Sequence, residues 1–380
     1  MTPPPVTERD LKLDILKGFG CLMMVVAHSS LSLHGYGPYA FYAGLAPALF
    51  FAVSGVTASI QASRYQPRGV LLSYLFLFLV GFSFNRITDA GFLEEINFDL
   101  LQMIAIGAAV VYLLEYHQRI TAWVYFFSAI AVFAIKFLFL ALLQDRIIYG
   151  ISGIVLPPGI FPVFPWLFLF FLGMFAYRIR NFWNALLGGF GMGLFFLLPR
   201  LGYELDLENK WNMSIGYFLL AFSVVLLFFF VVRLVTAFQQ RKGMGLLLLL
   251  GTNSLLFLYV HFPIILYLKE HNVQRKTMLI NQNPYLFWLL VLGLTLAIMF
   301  ILIRMARIKY LSVPFQYLPS WRTLTALVFI AGLSVKNETA VYWIEIGLGL
   351  IFALYYPLLI RLLKQPLRMD AVEPREKKLS

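Results

Sequence analysis

Three ionisable side chains stand in the first apolar run of the chain, where charge is costly: Asp14, Lys17 and His28. On an α-helix at about 100° per residue, the eleven steps from Lys17 to His28 make roughly three full turns, so the two side chains share a face. Asp14 precedes Lys17 by one turn and lies close to the same face. The rise between Lys17 and His28 is about 16 Å, which predicts Lys17 at one membrane surface and His28 beyond the middle of the bilayer.

An imidazole changes charge near neutral pH, and inside a bilayer it must face protein, a cavity or water. His28 is therefore a candidate general base that takes a proton from an alcohol or an amine. In this interpretation Asp14 and Lys17 order the entrance on the other side of the membrane. The alternative is a packing role, in which a buried histidine only forms a hydrogen bond to a neighbouring helix.

A second histidine, His261, lies in the stretch Gly-Thr-Asn-Ser-Leu-Leu-Phe-Leu-Tyr-Val-His-Phe-Pro that ends at Pro263. It is predicted at the same membrane depth as His28, as a second catalytic candidate. Pro263 cannot donate a hydrogen bond to the carbonyl of Tyr259, so a kink or opening is expected near His261. The alternative is structural: His261 bonds only that freed carbonyl.

The cytoplasmic side is predicted to suit a donor substrate that carries phosphate, because ammonium and guanidinium groups bind phosphate oxygens. Asn253 and Ser254, near the start of the helix that carries His261, either line this pocket or join helices by hydrogen bonds. The candidate donor-binding residues are Lys17, Arg64, Arg68, Arg241, Asn253 and Ser254.

Four other features are assigned mainly to architecture. The small pair Ser54 and Gly55 predicts close packing of the second helix against the first. Prolines in Phe161–Trp166 fit the first turn of a helix, with Trp166 at the membrane interface. Lys136 and Glu345 lie inside predicted helices and either line a cavity or reach for the membrane surface.

The elements that must position these residues follow from the composition. The chain has 380 residues, of which 61% are hydrophobic, with 38 Phe and a net charge of +12. This apolar share exceeds that of soluble proteins and predicts an all-α, polytopic membrane protein. The single cysteine, Cys21, excludes an intrachain disulfide and a cysteine metal cluster, and no metal is expected. The N-terminus lacks the pattern of a cleaved signal peptide.

Apolar runs predict 10 to 12 transmembrane helices. Basic residues concentrate in alternate connecting segments, which places both termini in the cytoplasm. The predicted spans are 14–33, 40–63, 69–87, 98–115, 119–143, 160–178, 181–199, 212–236, 244–268, 284–304, 322–336 and 340–363.

No soluble domain interrupts these runs. We predict a cytoplasmic N-terminal segment over 1–13, one transmembrane domain over 14–364 and a charged cytoplasmic tail over 365–380. A bacterial inner membrane is the expected location. The positive charge fits cytoplasmic loops and anionic lipids rather than nucleic acid.

Two groups of motifs resemble transmembrane acyltransferases. Asp-Ile-Leu-Lys-Gly18 with His28 resembles the opening pattern of the superfamily that includes bacterial acyltransferase-3 proteins. Phe-Pro-Trp before Phe-Leu-Gly173, and the stretch from Gly251 to Pro263, look closer to the heparan-α-glucosaminide N-acetyltransferase catalytic domain and its bacterial relatives. The ordered blocks extend to about residue 305.

The resemblance implies an enzyme that moves an acetyl group from cytoplasmic acetyl-CoA to a hydroxyl or amine of a sugar on the far side of the membrane. Lys17 corresponds to the family's basic residue near the CoA side, and His28 to its first-helix histidine. A covalent acetyl-histidine is the variant mechanism. The alternatives are a proton-coupled secondary transporter and a catalytically inactive partner in an envelope-glycan pathway, and a homodimer is a further option.

Overall fold

The computed structural model describes residues 10–29, 44–88, 97–143, 153–157, 159–207, 210–238, 244–273, 277, 283–334 and 338–364. Within these ranges the chain forms 14 α-helices, one 3₁₀ turn and no β-strand. The all-α prediction is confirmed. Of the predicted terminal segments, the first is described only from Asp10, and the tail over 365–380 lies outside the described residues.

The α-helices follow the predicted apolar runs closely. Each of the twelve runs contains helix, and one of them is divided into two helices. The bounds are α1 Leu11–Ser29, α2 Ala46–Ala62, α3 Pro67–Thr88, α4 Leu100–His117, α5 Ala122–Leu143, α6 Val163–Arg178, α7 Asn181–Arg200, α8 Ile215–Phe238, α9 Gly245–Thr252, α10 Ser254–Glu270, α11 Pro284–Ala306, α12 Lys309–Ser312, α13 Leu318–Ser334 and α14 Glu338–Leu363, with a 3₁₀ turn at Pro314–Gln316.

Seven of the described helices are long and apolar enough to cross a membrane: α3, α4, α5, α7, α8, α11 and α14. The bent pair α9 and α10 makes an eighth if it counts as one span, and α2, α6 and α13 are shorter apolar helices. Helix α1 carries charged residues within its 19 residues. Length and composition therefore establish a multi-pass membrane protein.

The run predicted as one helix over 244–268 is divided, which corrects that prediction. Helices α9 and α10 meet at an angle of 89°. Asn253, the junction residue, has φ −117° and ψ 30°, and its amide donates to the carbonyl of Leu249 at 2.9 Å. The Thr252 hydroxyl donates to the carbonyl of Leu248 at 2.7 Å. These side chains bond carbonyls near the end of α9, which allows the helix to end there.

Helix α9 crosses α1 at very short range. A Cβ atom at Gly18 would lie 2.3 Å from the Leu247 carbonyl oxygen, and one at Gly251 would lie 1.8 Å from the Asp14 carbonyl oxygen. The Cys21 thiol donates to the carbonyl of Leu250 at 3.7 Å. Only glycine permits this backbone contact, so the two helices are locked together beside Asp14.

The packing of α2 is predicted only in part, and the prediction for Trp166 in α6 is corrected. A Cβ at Gly20 of α1 would lie 2.9 Å from the Phe50 ring, so α2 packs against α1 as expected. A Cβ at Gly55 would lie 2.6 Å from the Phe170 carbonyl oxygen, so Gly55 itself packs α2 against α6. Trp166 is fully buried, and its indole N–H donates to the carbonyl of Trp211 at 3.0 Å. The sequence places Trp166 next to prolines but does not reveal that the loop before α8 covers it.

Candidate functional site: a histidine pair between two helices

The two predicted histidines meet. His28 Nδ1, near the end of α1, lies 2.9 Å from His261 Nε2 on α10. The ring planes differ by only 6° and the centroids are 5.1 Å apart. This separation is close to the length of the hydrogen bond plus the two ring radii, so the rings meet edge to edge in one plane. The expectation that they lie at the same depth is confirmed.

The partners of His261 determine which nitrogen carries each proton. His261 Nδ1 lies 2.8 Å from the carbonyl oxygen of Phe257, which can only accept a hydrogen bond. In the neutral ring, His261 Nε2 must then accept, and His28 Nδ1 must donate to it. This arrangement leaves a lone pair on Nε2 of His28, and no described residue forms a hydrogen bond to that atom. His28 is therefore arranged as a base.

Burial separates the roles of the two rings. His261 is fully buried, both of its nitrogens have partners, and its ring stacks on Phe257 at a centroid distance of 4.8 Å. His28 is only partly buried, with Phe262 edge-on to its ring at 5.0 Å. The partner of His261 is the carbonyl of Phe257, so the alternative in which His261 bonds the Tyr259 carbonyl is wrong. Helix α10 continues through Pro263, and the bend lies at Asn253 instead of near His261.

A residue outside the predicted site also holds His28. The ammonium group of Lys269, at the end of α10, donates to the backbone carbonyl of His28 at 2.7 Å. A cation at the last carbonyls of a helix is favourable both as a hydrogen-bond donor and by interaction with the helix dipole. Helix α10 therefore fixes the position of His28 through two atoms, its side-chain Nδ1 and its backbone oxygen.

At the other end of α1, Lys17 Nζ lies 3.3 Å from Asp14 Oδ1. The carboxylate is almost entirely buried, whereas the Lys17 side chain is 22% exposed. The predicted one-turn spacing thus forms an ion pair, next to the glycine contact with α9. About three helical turns separate this pair from His28, so the two cannot touch the same small group.

The remaining candidates are spread more widely. Arg64 is half-buried before α3, and Arg68 is exposed in its first turn. Asn253 and Ser254 lie at the junction of α9 and α10, where the Asn253 amide bonds the end of α9. Arg241 lies outside the described residues. The structure therefore assigns Asn253 an architectural contact, and of the described candidates it brings neither the arginines Arg64 and Arg68 nor Asn253 and Ser254 into contact with the histidine pair.

Sequence analysis missed one basic residue near Arg64 and Arg68. Lys364, directly after α14, lies over the ring of Tyr65 with Nζ 5.8 Å from the centroid. Burial lowers the pKa of Lys364 to about 7. A Cβ at Gly69 would lie 1.9 Å from the Leu363 carbonyl oxygen, so α14 ends against the start of α3. Residues so far apart in the chain give no local signal of this contact.

No group of three or more His, Cys, Asp or Glu side chains among the described residues could hold a metal ion. Residues 9–185 match the family model described as heparan-alpha-glucosaminide N-acetyltransferase, catalytic. The matched segment covers a little under half of the 380 residues and is similar to that family. The comparison with curated proteins and the comparison with solved structures found no match.

Similarity of this segment to the heparan-alpha-glucosaminide N-acetyltransferase catalytic domain is similarity to a membrane acetyltransferase. The matched segment runs from α1 into α7 and contains Asp14, Lys17 and His28. The block from Gly251 to Pro263 lies beyond it, so the match is shorter than the resemblance seen in the motifs. The histidine pair consequently joins a family-matched helix to a helix outside the match.

Proposed function

We propose that the protein transfers an acetyl group from cytoplasmic acetyl-CoA to a hydroxyl or amine of a sugar at the opposite side of the membrane. The observation that carries this proposal is the hydrogen bond of 2.9 Å between His28 and His261, and its support from the comparisons is that His28 lies in the segment similar to an acetyltransferase catalytic domain. The bacterial inner membrane and cytoplasmic termini belong to the same proposal.

In the proposed reaction, Nε2 of His28 takes the proton of the acceptor hydroxyl as the oxygen attacks the thioester carbonyl. The C–S bond breaks, and the CoA sulfur receives the proton from His28, so protons balance over one turnover. For an ammonium acceptor, one further proton must be lost before attack. His261 accepts the Nδ1 hydrogen bond of His28 throughout and stabilises the imidazolium that forms.

His261 therefore acts in this proposal as a positioning residue, because its own nitrogens are already bonded. The variant mechanism uses the same lone pair: Nε2 of His28 attacks acetyl-CoA and forms acetyl-histidine, which the acceptor then cleaves. Rapid mixing of the protein with acetyl-CoA alone distinguishes the two, since only the variant releases one CoA per protein before acceptor is added.

Lys17 and Asp14 are proposed to order the cytoplasmic entrance for the donor, with Arg64 and Arg68 as further phosphate contacts. The Lys17 side chain, which pairs with Asp14, is 22% exposed. Binding of acetyl-CoA, measured as a thermal shift, should weaken in Lys17→Ala. A ligand at about 100 times its dissociation constant adds roughly 2.7 kcal/mol to the folded state, which gives a measurable shift.

The central test is the acetyl transfer rate of His28→Gln with a panel of amino sugars and polysaccharides. General base catalysis contributes about 10²- to 10⁴-fold, so a loss in this range is expected. His271→Gln is the matched control, because His271 is an exposed histidine at the end of α10 that only contacts Tyr267. Near-normal turnover by His28→Gln would refute the role of His28.

The predicted orientation has its own test. Cys21, the single cysteine, is fully buried, so its reaction with a membrane-impermeant maleimide should be slight. We expect Arg68→Cys to be labelled only in inverted vesicles and Tyr203→Cys, on the exposed connection after α7, only in intact cells. The opposite pattern would place the donor side outside the cell.

One observation favours the transporter alternative: α9 and α10 form a broken helix, a feature that many secondary transporters use at their binding sites. Uptake or release of a sugar by vesicles without acetyl transfer would support that function. Acetyl transfer by purified protein would exclude it as the main activity and would also exclude an inactive partner.

A further inference from the structure

A second buried polar group lies away from the histidine pair. Glu345 on α14 is fully buried, and neither carboxyl oxygen has a hydrogen-bond partner among the described residues. Glu115 is also buried but differs in its partners: it pairs with Arg178 and accepts hydrogen bonds from Tyr125 and Ser59. The two glutamates therefore have similar burial and opposite surroundings.

The neighbours of Glu345 belong to α3, α10 and α14. One turn from Glu345, Gly349 packs against the ring of Tyr259, where a Cβ would lie 2.0 Å from a ring carbon. The Tyr259 hydroxyl is 2.9 Å from the Ser83 hydroxyl and 3.3 Å from the Val80 carbonyl oxygen. These short contacts hold the three helices together and leave little room for a large ligand.

Several oxygen atoms of this region have the following hydrogen-bond partners among the described residues. The Tyr259 hydroxyl has a hydroxyl and a carbonyl as partners. Pro263 has no N–H, so the carbonyl of Tyr259 lacks its normal helical donor. Both oxygens of Glu345 also lack a hydrogen-bond donor among the described residues. A small positive species satisfies such a group of oxygens better than any neutral apolar contact.

The charged and titratable groups that act on Glu345 through space are Arg86 of α3 and Tyr259 of α10. Asp99, before α4, acts on Tyr259 as well. Neither oxygen of Glu345 accepts a hydrogen bond from Arg86 or from any other residue that the structure describes. The basic residues of the adjoining α11 and α13, Arg304 and Arg322, lie toward the other ends of those helices. No cation therefore compensates Glu345 by direct contact within the described residues.

A carboxylate buried without hydrogen bonds or a contacting cation is too unfavourable to persist, and such a group normally becomes neutral. We propose that Glu345 is a proton-binding site of the working protein, formed by α3, α10 and α14 and separate from the histidine pair. Tyr259 and His261 lie two residues apart on α10 and so point to roughly opposite faces of it. The proton at Glu345 thus allows α14 to pack against the helix that positions the proposed base.

Dicyclohexylcarbodiimide provides a direct test, because protonated carboxyl groups in apolar surroundings add to it and retain the label. Peptide mass spectrometry of protein treated in native membranes should find the label on Glu345. Glu115 is the matched control and should remain unlabelled because it is ionised and paired. Labelling of Glu345 that disappears when Na⁺ is added at constant pH would mean that the site binds a metal cation, and would overturn the proposal.

Thermal unfolding of Glu345→Gln gives an independent result if the reagent does not reach the site. Gln resembles the neutral acid in shape and carries no charge. We expect the Tm of the unsubstituted protein to fall relative to that of Glu345→Gln as the pH rises above about 4.3, because the unfolded chain then loses the Glu345 proton while the folded protein still holds it. Parallel Tm curves for the two proteins over this range would refute the proposal. Neither measurement depends on acetyl transfer.

Discussion

Two buried polar clusters in the bundle differ in what they leave unbonded. Around Arg178, the guanidinium donates to the Ile120 carbonyl, the Ser59 hydroxyl and the Glu115 carboxylate. The other oxygen of Glu115 accepts from Tyr125 at 2.7 Å. The histidine pair has a hydrogen bond of 2.9 Å but ends in a nitrogen lone pair on His28. The first cluster is saturated and structural, whereas the second retains the capacity to accept a proton.

The largest effect is expected for Arg178→Met, which leaves the Glu115 carboxylate buried without its cation. Removing one partner of a buried ion pair costs about 3 to 5 kcal/mol. Thermal unfolding in detergent should show a large decrease in Tm. Arg180→Met is the control, because Arg180 is exposed two residues away and should leave the Tm nearly unchanged. Equal Tm values for the two variants would mean that the Arg178 cluster does not stabilise the bundle.

A smaller effect, on catalysis rather than stability, is expected for His261→Phe. The aromatic ring keeps much of the packing volume but cannot accept the hydrogen bond from His28, so the proposed base loses its orientation. We expect kcat to fall about 100-fold, with KM for acetyl-CoA little changed. Loss of stability without loss of kcat per folded molecule would place the histidine pair with the structural cluster.

Lys269→Met should have a moderate effect on both properties. The substitution removes a charge-assisted hydrogen bond to the His28 carbonyl, which is typically worth about 1.5 to 3 kcal/mol. Lys269→Arg retains a donor and should recover part of the Tm and of kcat. If Met and Arg at this position behave alike in both measurements, the contact with His28 contributes nothing.

The smallest effect concerns Lys364, which belongs to neither cluster. Its pKa falls from 10.5 to about 7 on burial, so the folded protein binds this proton less tightly than the unfolded chain. Stability should therefore decrease as the pH is lowered from about 10 to about 7 and change little below that. In Lys364→Met this part of the pH dependence should disappear from the Tm curve. An unchanged curve would show that Lys364 is hydrated in the folded state.

The helices were predictable because runs of apolar residues long enough to cross a bilayer have few other conformations. The equal membrane depth of His28 and His261 was predictable, because the position of each residue along its helix follows from the helical rise. Their contact was not, because it depends on how α9 packs against α1. The break at Asn253 escaped prediction for a similar reason: the Gly251 contact with Asp14 that accompanies it is visible only once both helices are placed.

Trp166 and Lys269 show where local patterns fail. The prolines beside Trp166 predict that its indole lies at the membrane interface. In the structure the indole N–H donates to the carbonyl of Trp211, in a loop more than forty residues later. The sequence predicts Lys269 only as one of several cations at a membrane surface. The tertiary structure shows that it donates a hydrogen bond to the backbone carbonyl of His28. Both contacts are long-range, and neither residue type specifies its partner.

The positions of the two histidines depend on their distances along the chain from the crossing of α1 and α9. Cys21 lies at the crossing through its contact with Leu250, and α10 begins at Ser254 just beyond it. His28 is seven residues after Cys21, and His261 is seven residues after Ser254. One inserted residue in either stretch would rotate its imidazole by about 100° and move it by about 1.5 Å along the helix. A one-residue insertion in either stretch should therefore break the hydrogen bond between the two rings.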